Sequence, residues 1–205
     1  MIELLTANTP NGKKISIMLE EINFEYKVTK IIINKDEQFK PEFIKISPFR
    51  KIPVIIDHKN NQSLFESGAI LIYLAQRSGK FYDEDQRTVI NQWLMGQMAY
   101  VGPMLGQHHQ FHHYNPGKSK FGEDRYFKIS KKIYEELDER LSNSNYLASN
   151  KYTIADDSGL VIPELTYEPG IYSARYAGDA ASDWDNRNKV IKKIENISKQ
   201  SLDAY

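Results

Sequence analysis

The chain opens on a short apolar run, residues 2–5, that ends at the turn-rich TANTPNG and predicts a buried strand. Ile15, Met18, Leu19 and Ile22 then recur at helical spacing while Lys13, Lys14, Glu20 and Glu21 stay available to water, so a helix buried on one face follows and stops at Asn23. Residues 26–33 are rich in β-branched side chains and predict a second strand, which the right-handed crossover makes parallel to the first. Past a polar loop at 36–40, PEFIKI reads as a short helix with Pro41 in its first turn. KIPVIID begins a third strand; Pro53 cannot donate to a ladder, so it belongs at the strand's start. Residues 57–62 form a turn cluster and residues 63–65 return as a fourth strand. Ser67 then opens a helix whose buried side carries Ile70, Leu71, Leu74 and Ala75.

This order of strand, helix, strand, linking helix, hairpin and helix predicts a thioredoxin-like α/β domain over residues 1–80. A polar linker spans 79–85, after which the pattern turns helical. Val89, Trp93, Leu94, Gln97 and Met98 mark one helix, and Tyr126, Ile129, Ile133, Tyr134, Leu137 and Leu141 mark another, in an all-α second domain over 86–155. VGPMLGQHHQFHHYNPG lies between them. Thr153-Ile154-Ala155-Asp156 has the form of a capping box. Yet Gly159, Pro163, Pro169 and Gly170 follow too closely for a central helix, since an interior proline costs ~3 kcal/mol and a glycine ~1 kcal/mol. The helical domain is therefore expected to be truncated, with a strand-like or irregular segment at 156–205 that leaves bundle faces uncovered.

Composition removes whole classes of chemistry. The 27 Lys and Arg balance 27 Asp and Glu, so no overall field points to nucleic acid or an anionic membrane. There is no cysteine, which excludes disulfides, Cys-x-x-Cys redox chemistry and thiolate metal sites. The first residues lack a charged leader with an apolar stretch, and no run reaches the ~20 apolar residues of a membrane span, so a cytoplasmic location is expected and the sequons at Asn61 and Asn196 count as coincidence. His108, His109, His112 and His113 form two i, i+4 pairs, a spacing that can place two imidazoles on one metal. No carboxylate motif completes such a site, so they are assigned to a cleft wall and no metal ligand is named.

Glu66-Ser67-Gly68 falls at a helix start, where free N–H groups favour a carboxylate or phosphate, and Pro53 should share that end of the sheet. Around these residues the segments TPNGKKISIMLEE, QFKPEFIKISP, KIPVIIDH, SLFESGAILIYLA and GPMLGQHHQF resemble the Nu class of bacterial glutathione transferases, some of which are glutathione-dependent disulfide reductases. The resemblance runs from Met1 to about Ala155. It implies glutathione as cofactor, a small thiol or disulfide as substrate and a homodimer, while the balanced charge and the lack of a long apolar run speak for neither nucleic acid nor membrane as partner. It makes Pro53 a cis-proline, with Ile52 pairing to the cysteinyl backbone of glutathione. Glu66 and Ser67 would hold its γ-glutamyl end, with Gln38 and Lys51 on the flank. Arg125 would reach toward the partner subunit's site. Thr9 and Asn11 would act on the sulfur; neither is a base at neutral pH, but a hydroxyl and an amide can donate to a thiolate and lower its pKa.

After Ala155 the likeness changes. ADDSGL and EPGIYSARYAG resemble the inosine triphosphate pyrophosphatase family over about residues 155–197, where Asp156 and Asp157 would help bind magnesium and activate water. That family's glycine-aromatic nucleotide loop and Ser-His-Arg segment have no counterpart. Thr9 to Lys14 also fits a loose Thr/Ser-x-Asn-x-x-Lys phosphate loop, but the transferase likeness covers that stretch and the hundred residues beyond it. The chain thus reads as a junction of two fragments at Ala155-Asp156, the last an α/β-derived pyrophosphatase-like piece. Three functions stay open: a glutathione transferase or disulfide reductase, impaired by its missing helices; a non-catalytic or misfolded fusion product; and a pyrophosphatase remnant. The first is favoured, and no hydrolysis of inosine triphosphate is expected.

Overall fold

The computed structural model describes residues 1–148 and 150–154, with the backbone of two short strands at 161–162 and 168–169. One sheet holds β1 (Ile2–Thr6), β2 (Tyr26–Lys30), β3 (Val54–Asp57) and β4 (Gln62–Phe65) in the order β2-β1-β3-β4. β1 and β2 are parallel, with Ile2 opposite Tyr26 and Thr6 opposite Lys30, as the crossover through α1 (Pro10–Glu21) requires. β3 runs antiparallel to β1 and turns back into β4. With α2 (Pro41–Ile46) and α3 (Ser67–Ser78) this is the expected thioredoxin-like layout.

Strand alternation sorts the core into two layers. Ile2, Leu4 and Ile55 meet Ile15, Met18 and Leu19 of α1 and Ile70, Leu71 and Leu74 of α3. Their neighbours Leu5 and Val54 pack instead with Ile31 and Phe43. One expectation shifts. The second strand stops at Lys30, not at residue 33, because β1 ends at Thr6 and offers no further partner; Ile33–Lys35 forms a 3-10 turn. Ser67 is the first residue of α3, as expected, and Glu66 takes the cap position.

In the second half, α4 (Arg87–Gly96), a π turn at Gln97–Val101, α5 (Gly102–His109) and a π turn at Gln110–Tyr114 follow without a break. The Gly- and His-rich stretch between the two predicted helices is therefore itself helical. Pro103 would clash inside a regular α-helix, and the widened turn ahead of it makes room for the ring. Ile90 and Leu94 of α4 join the main core, as do Ala148 and Ile154. The Ile154 N–H donates to the Phe81 carbonyl at 3.1 Å.

α6 (Lys120–Ser142) begins after Ser119, whose Oγ accepts from the Gly122 N–H. The Phe111 ring lies flush on Gly122, where an added Cβ would stand 2.5 Å from a ring carbon. Gly122→Ala is expected to cost about 1–3 kcal/mol by overpacking. Urea unfolding checks this; a midpoint equal to the parent's would mean that the ring swings clear. Gly122, Ser130 and Ile133 are the buried residues of α6, while Phe121, Phe127 and Leu141 stand exposed.

The chain separates into two units, Met1–Asp157 and Ser158–Tyr205. In the second, β5 (Val161–Ile162) pairs antiparallel with β6 (Glu168–Pro169). The other expectations for 156–205, and the Asp156 end of the capping box, lie outside the described residues.

Candidate functional site

The sheet register assembles the site. Leu5 pairs with Val54 and Val54 with Phe65, so the chain segments just beyond these residues meet at one sheet end. They are the loop after β1, Pro53, and Glu66-Ser67. The Ile52–Pro53 bond is cis, Pro53 is buried, and Ile52 packs against the Leu5 and Val54 layer. The preceding turn is clamped by the buried Ser47: its Oγ donates to the Lys51 carbonyl at 2.8 Å and accepts from the Lys51 N–H at 3.1 Å. Among the described residues the Ile52 backbone forms no hydrogen bond, which leaves an N–H and a C=O for an extended ligand. The Lys51 side chain is exposed beside it.

Glu66 holds φ 69° and ψ 115°, a conformation that costs a non-glycine residue about 1–3 kcal/mol and collects at functional sites. It swings the chain from β4 into α3 so that Ser67 and Gly68, both buried, start the helix. The first-turn N–H groups there have no intrahelical acceptor and carry the positive end of the dipole. Ser67 Oγ donates to the Met98 thioether at 3.8 Å.

Thr9 caps α1, its Oγ1 accepting from the Gly12 N–H at 3.2 Å, which leaves the hydroxyl hydrogen free to donate elsewhere. The loop sits so close that a Cβ on Gly12 would stand 2.3 Å from Thr6 Oγ1, so only glycine fits. Asn11 is exposed in the first turn. Gln38 is buried in the turn Glu37–Phe39, and its Oε1 has no hydrogen-bond partner among the described residues. Buried acceptors are rarely left so. Arg125 stands apart, exposed on α6 with its guanidinium 6.0 Å from the Tyr126 ring centre. The structure thus gathers Thr9, Asn11, Ile52, Pro53, Glu66 and Ser67 by topology, and shows no contact of Arg125 with them.

The residue that sequence reasoning missed is Asp57. It is wholly buried and is bound by Tyr73 and Arg77 of α3 and by Asn60. This ties the far end of α3 to β3 and so aims the helix start at the sheet end. Tyr73 and Arg77, a polar i, i+4 pair on an otherwise apolar helix, were the signal.

The His108 and His112 ring centres lie 4.3 Å apart and those of His109 and His113 lie 4.6 Å apart. No group of three or more metal-capable side chains forms among the described residues. Asp156 and Asp157 lie outside them. A small cavity of about 10 Å³, lined by Met18, Glu21, Phe81, Tyr152, Thr153 and Ile154, has room for roughly one water and lies away from the sheet end. No described helix is long and apolar enough to cross a membrane.

Known proteins resemble this chain in sequence and overall fold. The model of the glutathione S-transferase N-terminal domain matches residues 2–76, and the Ham1 family model matches residues 134–205. The second match begins inside α6, upstream of the expected junction. The disulfide-bond oxidoreductase YfcG of Escherichia coli is 44% identical over 163 residues, covering 76% of each chain. YghU of the same organism, also a disulfide-bond oxidoreductase, is 36% identical over 168 residues, covering 76% of this chain and 57% of its own. A glutathione transferase from Pseudomonas putida, crystallised with one glutathione disulfide per subunit, superposes with a TM-score of 0.71 at 42% identity, covering 77% of this chain and 71% of that one.

Proposed function

Because the chain belongs to the glutathione S-transferase family, we propose that it binds glutathione at the sheet end and uses it to reduce small disulfides. The observation that carries this reading is the meeting of the unpaired Ile52 backbone with the α3 start at Glu66-Ser67. A peptide-like ligand with a carboxylate suits that pair: its backbone bonds Ile52 beside Pro53, and its γ-glutamyl carboxylate takes the Ser67 hydroxyl and the first N–H groups of α3. Lys51 flanks the ligand, and the orphan Gln38 Oε1 accepts from it.

Bound glutathione supplies the thiol nucleophile, which this cysteine-free chain lacks. Thr9 and Asn11 donate to the sulfur, hold it as thiolate and shield it from reprotonation. The reading extends to a homodimer in which Arg125 reaches the partner's ligand, and to turnover weakened because the sequence after Ala155 does not carry the pattern of the expected helices. No pyrophosphatase chemistry is proposed from the Ham1 match, since that family's nucleotide loop has no counterpart in the sequence. Retention on immobilised glutathione, with elution by free glutathione, tests the reading. Passage through the column at low salt would refute it.

A further inference from the structure

Ser67 is held from behind by the helical half of the molecule. Its Oγ donates to Met98 Sδ at 3.8 Å, and Gly68 presses on the same side chain: a Cβ there would stand 3.1 Å from Met98 Cγ and 3.3 Å from Sδ. Met98 lies in the π turn Gln97–Val101 and is partly buried against the main core. A thioether is a weak acceptor, so a ligand carboxylate draws the Ser67 hydroxyl away at little cost. A sulfoxide oxygen is a polar acceptor in place of an apolar sulfur, and it needs space that the contact with Gly68 does not offer.

Resting on the glutathione reading above, we propose that Met98 is a modification site at which a hydroperoxide switches the ligand site off. The peroxide O–O bond breaks as one oxygen transfers to Sδ; the sulfur is oxidised by two electrons, the peroxide is reduced, and water leaves when the oxidant is hydrogen peroxide. Met98 sulfoxide then retains the Ser67 hydroxyl and wedges the α3 start from α4. The chain has no thiol to intercept the oxidant. Met1 and Met95, 56% and 49% exposed, report the dose, and Met18 at 3% is shielded.

The test titrates glutathione into the full chain before and after hydrogen peroxide, with sulfoxides located by peptide mass spectrometry, and repeats this on Met98→Leu, a volume-conserving change that cannot take up oxygen. The parent's affinity should fall ~10-fold in proportion to oxidation at Met98. It should recover with a methionine sulfoxide reductase. Met98→Leu should keep its own starting affinity through the same treatment. The inference is overturned if the parent binds equally well with Met98 oxidised, if Met98→Leu loses as much, or if Met98 stays reduced while Met1 and Met95 are converted. An untreated parent that does not bind glutathione overturns the underlying reading as well, an outcome distinct from these three.

Discussion

Asp57→Ala is expected to lower the unfolding free energy by about 1–3 kcal/mol. The carboxylate is wholly buried and accepts from the Lys59 N–H at 3.0 Å, from Asn60 Nδ2 at 2.9 Å, from the Tyr73 hydroxyl and from the Arg77 guanidinium. Truncation removes the one acceptor these donors share; Lys59, Asn60 and Arg77 can turn to water, while the half-buried Tyr73 hydroxyl loses its acceptor. The Arg77 side chain is 26% exposed, so water screens its share, and the larger part of the loss comes from the neutral donors. Burial pushes the Asp57 carboxyl up, but the Tyr73 hydroxyl, the Lys59 and Asn60 N–H groups and Arg77 together outweigh it and hold the group below its ordinary value. The folded state therefore binds this proton less readily than the unfolded chain does. Its stabilisation is complete above the ordinary aspartate value near pH ~4 and is lost as pH falls through the folded value. Urea unfolding between neutral and acid pH should show the parent losing that increment and Asp57→Ala declining less steeply. Parallel curves for the two would contradict the account.

Disulfide reduction should be all or none in glutathione. With no cysteine in the chain, the electrons and the nucleophilic sulfur both come from a thiol in solution. Turnover of a small disulfide is expected to equal the blank without glutathione and to appear on its addition. It should also survive treatment of the protein with an alkylating reagent removed before the assay. Reduction without glutathione, or inactivation by alkylation, would show that the reducing sulfur has been misplaced.

How far the sequence carried the reading depends on the range of the interaction. Ile15, Met18 and Leu19, or Ile70, Leu71 and Leu74, announce their helices because a buried face repeats locally, and these residues do form the core. The end of the second strand was not legible, because it depends on where β1 stops, twenty-odd residues earlier. The helical course of residues 101–114 was hidden by Gly102, Pro103 and Gly106, residues poor in helix propensity that here lie in α5 between two π turns. At the site, the neighbourhood of Pro53 and Glu66 was legible from the hairpin. The left-handed φ of Glu66 leaves no local pattern, and the Tyr73 and Arg77 pair does not name its partner, because Asp57 reaches it only through how β3 and α3 are stacked.

The central claim is that the start of α3 holds a glutathione carboxylate, and calorimetric titration of glutathione into the parent and into Ser67→Ala tests it most directly. The parent should bind with a single enthalpic transition per chain, and Ser67→Ala should weaken binding by about 1–3 kcal/mol, through loss of a charge-assisted hydrogen bond, at unchanged thermal stability. Equal affinity of the two proteins would contradict the assignment of the carboxylate to this helix start.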